Sequence, residues 1–158
     1  GWLVGRWRDV RRRWRLGGLV MRRLLAHLFA ADARTRFPAA AMARIAAAIA
    51  EGETRHRGEV CFAVEGALPI REVLRGTTAR ARAEDAFARL RVWDTSDNNG
   101  VLVYLLLADH RIEIVADRGL AGKVSAEQWR GVCQLMEERL RAGEFVEAVL
   151  AGITAASD

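Results

Sequence analysis

Trp93-Asp94-Thr95-Ser96-Asp97-Asn98-Asn99-Gly100, then Val101-Leu102-Val103-Tyr104-Leu105-Leu106-Leu107, then Ala108-Asp109-His110-Arg111, then Ile112-Glu113-Ile114-Val115-Ala116-Asp117-Arg118-Gly119: in order, this is a polar loop, an apolar run, a turn and a β-branched run. The unbroken run Val101–Leu107 predicts a strand covered on both faces. Ile112–Ala116 predicts a second strand, with Glu113 as its one charged interruption. A tight turn makes the two antiparallel, so the hairpin carries Asp117-Arg118-Gly119 back to the end where Asp94–Gly100 began. Two oxygen-rich loops are therefore expected at one rim.

Working outward, Glu59–Val64 alternates Val60, Phe62 and Val64 with Cys61 and Ala63, an expected internal strand whose small residues admit a closely packed helix. It joins Val101–Leu107 by a long crossover, which requires the two to be parallel. Phe37-Pro38 opens a helix to about Arg55 with Met42, Ile45, Ala46 and Ile49 inward, and Gly58 beyond its end. Ala67–Gly76 reads as a short cover. Thr77 or Thr78 caps a helix with Ala79, Ala83, Ala86, Phe87 and Leu90 inward. Ser125-Ala126-Glu127-Gln128 is a capping box before a helix striped by Trp129, Val132, Cys133, Met136 and Leu140. After Gly143, Phe145, Ala148, Val149, Gly152 and Ile153 predict a last helix. Helices on both faces of such a sheet make a three-layer α/β/α sandwich, Rossmann-like, with a mixed sheet of parallel strands and a C-terminal hairpin.

The loop, the Asn-Gly-Val-Leu entry to the apolar strand, the short turn and Ile-Glu-Ile-Val-Ala-Asp-Arg-Gly together resemble the TPM domain family, from about Phe37 to Ala155. That family includes a thylakoid-lumen phosphatase-like protein of photosystem II repair and many bacterial proteins of unassigned role. The resemblance implies a three-layer α/β/α domain, calcium binding in some members, weak phosphatase activity in others, and a tie to membrane-protein maintenance. Many members carry a signal peptide before the domain and a membrane anchor after it, and no such anchor is read in this chain.

At 158 residues, 51% apolar and 28% charged, the chain has the profile of a soluble globular domain. Its +5 charge is unevenly placed. Residues 1–23 hold eight arginines against Asp9, or +7, leaving about −2 for the remainder. The basicity belongs to the leader, so no nucleic-acid binding by the domain is expected. Residues 1–20 interleave Trp2, Trp7 and Trp14 with arginine, as a membrane-surface segment does. They read equally well as sequence upstream of a start at Met21. Residues 21–36 are expected to form an amphipathic helical segment with Leu24, Leu25, Leu28 and Phe29 on one face, and residues 37–158 the TPM-like domain. As a signal peptide, Met21–Ala33 falls short of the usual ~7–15 apolar residues because His27 breaks its core. No stretch reaches the ~18 apolar residues of a membrane span. Cys61 and Cys133, the only cysteines, fit core thiols of a reducing compartment, hence a cytoplasmic and peripheral address; neither a disulfide framework nor a zinc site is expected.

At the rim, Asp94, Asp97, Asn98, Asn99 and Asp117 supply carboxylate and amide oxygens of the kind Ca²⁺ accepts, six to eight at a time. The same residues can instead close a turn through their own backbone. The loop is no EF-hand, because Asn99 and Leu105 fall where its glycine and bidentate glutamate belong. Arg118 can clamp phosphate, and Asp97 or Asp117 can orient water, so the weak catalytic candidates are Asp97, Asp117 and Arg118. No aspartyl-phosphate pair, cysteine-phosphatase loop, Walker loop or dinucleotide fingerprint is read. Ser96 and His110 lie at opposite ends of a strand spanning ~23 Å and cannot act together. His27 and His56 are expected at the surface. Glu113 is expected on an edge strand facing water, and Trp93 and Trp129 as core closures. The expected function is a calcium-binding accessory or interaction module with an unidentified protein partner. The rivals are a metal-assisted phosphatase on the same rim and an interaction domain with no site.

Overall fold

A computed structural model describes residues 19–30, 32–55 and 58–157. The leader to residue 18 and His56 lie outside the described residues.

The apolar run forms β2 (Gly100–Leu106), in which every residue is buried. β1 (Glu59–Glu65) pairs with it in parallel, and β3 (Arg111–Ala116) pairs antiparallel, Val101 opposite Ala116 and Leu106 opposite Arg111. The order is β1-β2-β3, so β2 is central and β1, expected to be internal, is an edge. Both outer edges are met by side chains. Val60 N–H donates to Glu53 Oε1 at 3.0 Å, and Arg80 Nη1 donates to the Ile114 carbonyl at 2.8 Å. Charged groups on an edge deter pairing with another strand.

Alternation along β2 sends Val101, Val103 and Leu105 to one layer and Leu102, Tyr104 and Leu106 to the other. The first layer is α3 (Ala39–Glu53), α6 (Ala126–Arg141) and α7 (Phe145–Ser157), which contribute Ile45, Met136, Leu140, Val149 and Ile153. The second is α4 (Ile70–Leu74) and α5 (Ala79–Arg89), contributing Val73, Ala79 and Ala83. Leu24 from α1 (residues 19–28) joins this second layer. A short α2 (Ala33–Arg36) links α1 to α3. The three-layer α/β/α reading and its mixed sheet hold.

Caps fall where the side chains dictate. Thr78 Oγ1 accepts Ala81 N–H, and the Ser125–Gln128 capping box is closed in both directions. α6 and α7 meet at Gly152, where a Cβ would lie 2.1 Å from Sδ of the fully buried Met136.

Several inward assignments are corrected. α3 docks through Ala41, Ile45 and Gly52, which turns Met42 and Ala46 to solvent. Leu90 is exposed because it follows the end of α5. Trp93 lies 47% exposed on the turn after α5, its Nε1–H on the Ala88 carbonyl, and closes no core. Cys61 and Cys133 are free and pack into opposite layers.

Candidate functional site

The rim forms because three strand ends are tied by backbone hydrogen bonds. Glu59 N–H donates to Asn99 O at 3.1 Å, Asp117 N–H to Gly100 O at 2.9 Å, and Gly119 N–H to Asn98 O at 2.8 Å. The last joins the two loops directly. A Cβ on Gly119 would lie 2.3 Å from Asp97 O and 2.4 Å from Asn98 O, so only glycine admits this approach. Gly100 is constrained in the same way, its Cβ position lying 1.9 Å from Val92 O. Asn98 adopts φ 51°, a left-handed conformation that asparagine tolerates better than most residues. Thr95, which carried no expectation, orders the loop by accepting Asn99 N–H on Oγ1 at 3.0 Å.

The candidate side chains divide into two groups. Asp97, Asn98, Asp117 and Arg118 belong to the two joined loops. Asp117 Oδ1 accepts Arg118 N–H at 2.7 Å, and Arg118 Nη2 donates to Asn98 Oδ1 at 3.3 Å across the junction. Asp94 is instead ion-paired with Arg91 at 2.6 Å, and Asn99 is buried beneath the loop. Among the described residues, no three His, Cys, Asp or Glu side chains group as a metal centre. The two joined loops carry only two carboxylates, Asp97 and Asp117, so any cation drawn to them would need neutral oxygens and water for the rest of its shell. Ca²⁺ tolerates such a set better than a transition metal does. Arg118 must then leave Asn98 Oδ1, because its guanidinium occupies that oxygen.

A groove of about 430 Å³ runs from Asp117 and Arg118 along the outer edge of β3, between Arg80 and Trp129. Trp129 is half-buried in its wall. Glu113, on the same edge strand, is also half-buried, with Arg80 at 3.7 Å.

Two polar clusters escaped the sequence reading. At the opposite end of the strands, Asp109 accepts Arg23 Nη2 at 2.8 Å and His27 Nε2–H at 2.9 Å, while Leu68 N–H donates to His27 Nδ1 at 2.9 Å. His27, expected at the surface, is 5% exposed with both ring nitrogens occupied, so it is a structural latch with no nitrogen left for proton transfer. Burial pushes the Asp109 carboxyl up, but Arg23 and His27 more than offset this and hold it below its ordinary value. The available signal was Arg23 and His27 four residues apart on one helix face. The second cluster lies within the apolar run. Tyr104 O–H donates to Glu65 Oε1 at 2.9 Å, and Arg82 clamps the same carboxylate at 2.7 and 3.1 Å. Burial, then the adjacent Glu65, raises the Tyr104 hydroxyl far above its ordinary value.

Cys133 and Arg139 do stand at the cysteine-phosphatase spacing, but inside α6 rather than in a phosphate-binding loop. Burial pushes the Cys133 thiol up to about 11, and Arg139 pairs with Glu144, so the pair has neither a thiolate nor a free clamp. Ser96 and His110 lie beyond opposite ends of β2. No helix among the described residues is long and apolar enough to cross a membrane.

Solved structures share this fold. The NMR structure of the BA42 protein from the psychrophilic bacterium Bizionia argentinensis aligns with TM-score 0.60 and 23% identity, over 80% of this chain and 79% of that one. The N-terminal domain of a P. gingivalis protein aligns with TM-score 0.64 and 16% identity, over 80% and 77%. No curated protein matches. The TPM domain model matches residues 31–158, which take in the whole sheet, both joined loops and every helix after α1, and the chain belongs to the TPM domain family.

Proposed function

We propose that the chain is a calcium-binding accessory module that works at the rim, where Asp97, Asn98 and Asp117 hold the ion and the groove beside β3 receives a protein partner. The observation that carries this reading is the Gly119 N–H to Asn98 O bond. It fixes two polar loops at a distance only glycine permits, and backbone constraint of this kind concentrates at binding sites. The address is cytoplasmic and peripheral, with the arginine- and tryptophan-rich leader on a membrane surface, in keeping with the service to membrane proteins that the family implies.

A second reading, a metal-assisted phosphatase on the same rim, is favoured by one feature. Arg118 places an exposed guanidinium on Asn98 Oδ1, between the loops that carry Asp97 and Asp117, where it can clamp a phosphoryl group while Asp97 or Asp117 orients water. Arg118→Ala separates the two. Calcium affinity should hold or rise, because a competing cation leaves Asn98 Oδ1, whereas hydrolysis of a phosphomonoester should collapse. If rim substitutions alter stability alone, the domain has no site there, and both readings fail.

A further inference from the structure

α1 is docked with its polar side inward. Arg23 and His27 hold Asp109, Arg23 Nη2 also donates to the Thr77 carbonyl at 2.6 Å, and Leu24 packs against the second layer. The opposite side carries Met21, Leu25 and Leu28, with Phe29 just past the helix end, at 57%, 47%, 57% and 82% exposure. At ~100° per residue these four share one arc of the helix, facing away from Arg23 and His27. The sequence expectation placed Leu24 with them; the structure turns it the other way. A helix on a globular domain ordinarily buries its apolar stripe, and a cluster of large apolar side chains left in water marks a contact surface. The latch fixes the rotation, so that surface is held outward.

We propose that this outward face of α1 inserts into the headgroup region of an anionic lipid bilayer. The inference rests on the membrane-surface reading of the leader and adds the part of the fold that enters the lipid. Charge complementarity selects the occupant. Residues 1–22 hold seven arginines against Asp9, a sum of +6, with Arg22 exposed on α1 itself. A second copy seated on this face would bring two such leaders together. A nucleic acid would satisfy the arginines and leave Met21, Leu25, Leu28 and Phe29 in water. An anionic bilayer offers phosphate to the arginines and hydrocarbon to the apolar face. The latch grips Asp109 in the β2–β3 turn, at the far end of the strands from Asp97 and Asp117. Insertion through α1 therefore leaves the rim directed away from the lipid, about 23 Å along β2.

The test is flotation of the full chain with vesicles of phosphatidylglycerol and phosphatidylcholine, against vesicles of phosphatidylcholine alone. Binding to the anionic vesicles only is expected. Leu25→Glu with Phe29→Glu should weaken it ~10-fold or more, since two apolar side chains no longer leave water. The uncharged pair Leu25→Ser and Phe29→Ser should weaken it as well, which separates apolar insertion from charge repulsion. Thermal unfolding of both double variants should match the parent, because the replaced side chains are exposed. Full-strength binding by both variants would overturn the role of α1 and leave the leader reading standing. Absence of binding by the parent chain would overturn both. A parent dimer in sedimentation that either variant dissolves would assign the face to a second copy and overturn the proposal.

Discussion

Gly119 and Gly100 make the rim, and each does so by lacking a side chain. Gly119→Ala would drive a methyl into the Asp97 and Asn98 carbonyls, so the loops must part and the Gly119 N–H to Asn98 O bond must lengthen or break. A loss of ~1–3 kcal/mol in urea unfolding is expected, as for other overpacked positions, together with faster amide exchange at Gly119. An unchanged exchange rate would show the loops are not held by this bond. The sequence marked both glycines and all the oxygen-bearing residues around them. It did not show that Asp94 is diverted by Arg91, three residues before it, or that Asn99 is drawn under the loop. Side-chain direction within a turn depends on φ at single residues such as Asn98, which no periodicity encodes.

Among the elements, α6 and α7 depend on one close crossing. Gly152→Ala puts a methyl against Met136, whose fully buried side chain must then shift within a packed layer, and should cost ~1–3 kcal/mol. Combining it with Met136→Val should cost less than the sum of the two single changes, since the smaller side chain vacates the space the methyl needs. Strict additivity in denaturant unfolding would contradict that contact. α1 is held differently, by charge. The Asp109 carboxyl lies below its ordinary value in the folded chain, so its contribution is full above ~3.9 and is lost as pH falls through the lowered folded value. Amide protection over residues 19–28 should therefore drop on acidification before the sheet unfolds. Asp109→Asn should lose part of that protection already at neutral pH. Helix and strand positions were legible because their apolar spacing is regular and their caps are local. The latch was not, because it joins His27 to Asp109 across 82 residues and is visible only once the sheet brings them together. The same reason hid Tyr104, whose hydroxyl finds Glu65 inside a run that otherwise reads as uniformly apolar.

For the whole molecule, the central strand, the hairpin and the two helical layers followed from one seven-residue apolar run, since a strand buried on both faces requires a layer on each side. The order of the strands did not follow. β1 carries small residues on one face, which suggested an interior place, yet it is an edge whose outward Val60 N–H is met by Glu53 rather than by a further strand. Edge and interior strands differ in which backbone groups are paired, and side-chain pattern reports that only indirectly. The rim and the latch occupy opposite ends of the sheet, so the two surfaces can be tested independently of one another. The measurement that bears most directly on the account is a calcium titration of the full chain followed through its amide NMR signals, with Asp97→Ala as control. Saturable shifts confined to residues 94–100 and 117–119, and lost in the control, are the predicted result. Spectra unchanged up to millimolar calcium would contradict it and leave the joined loops as a structural turn.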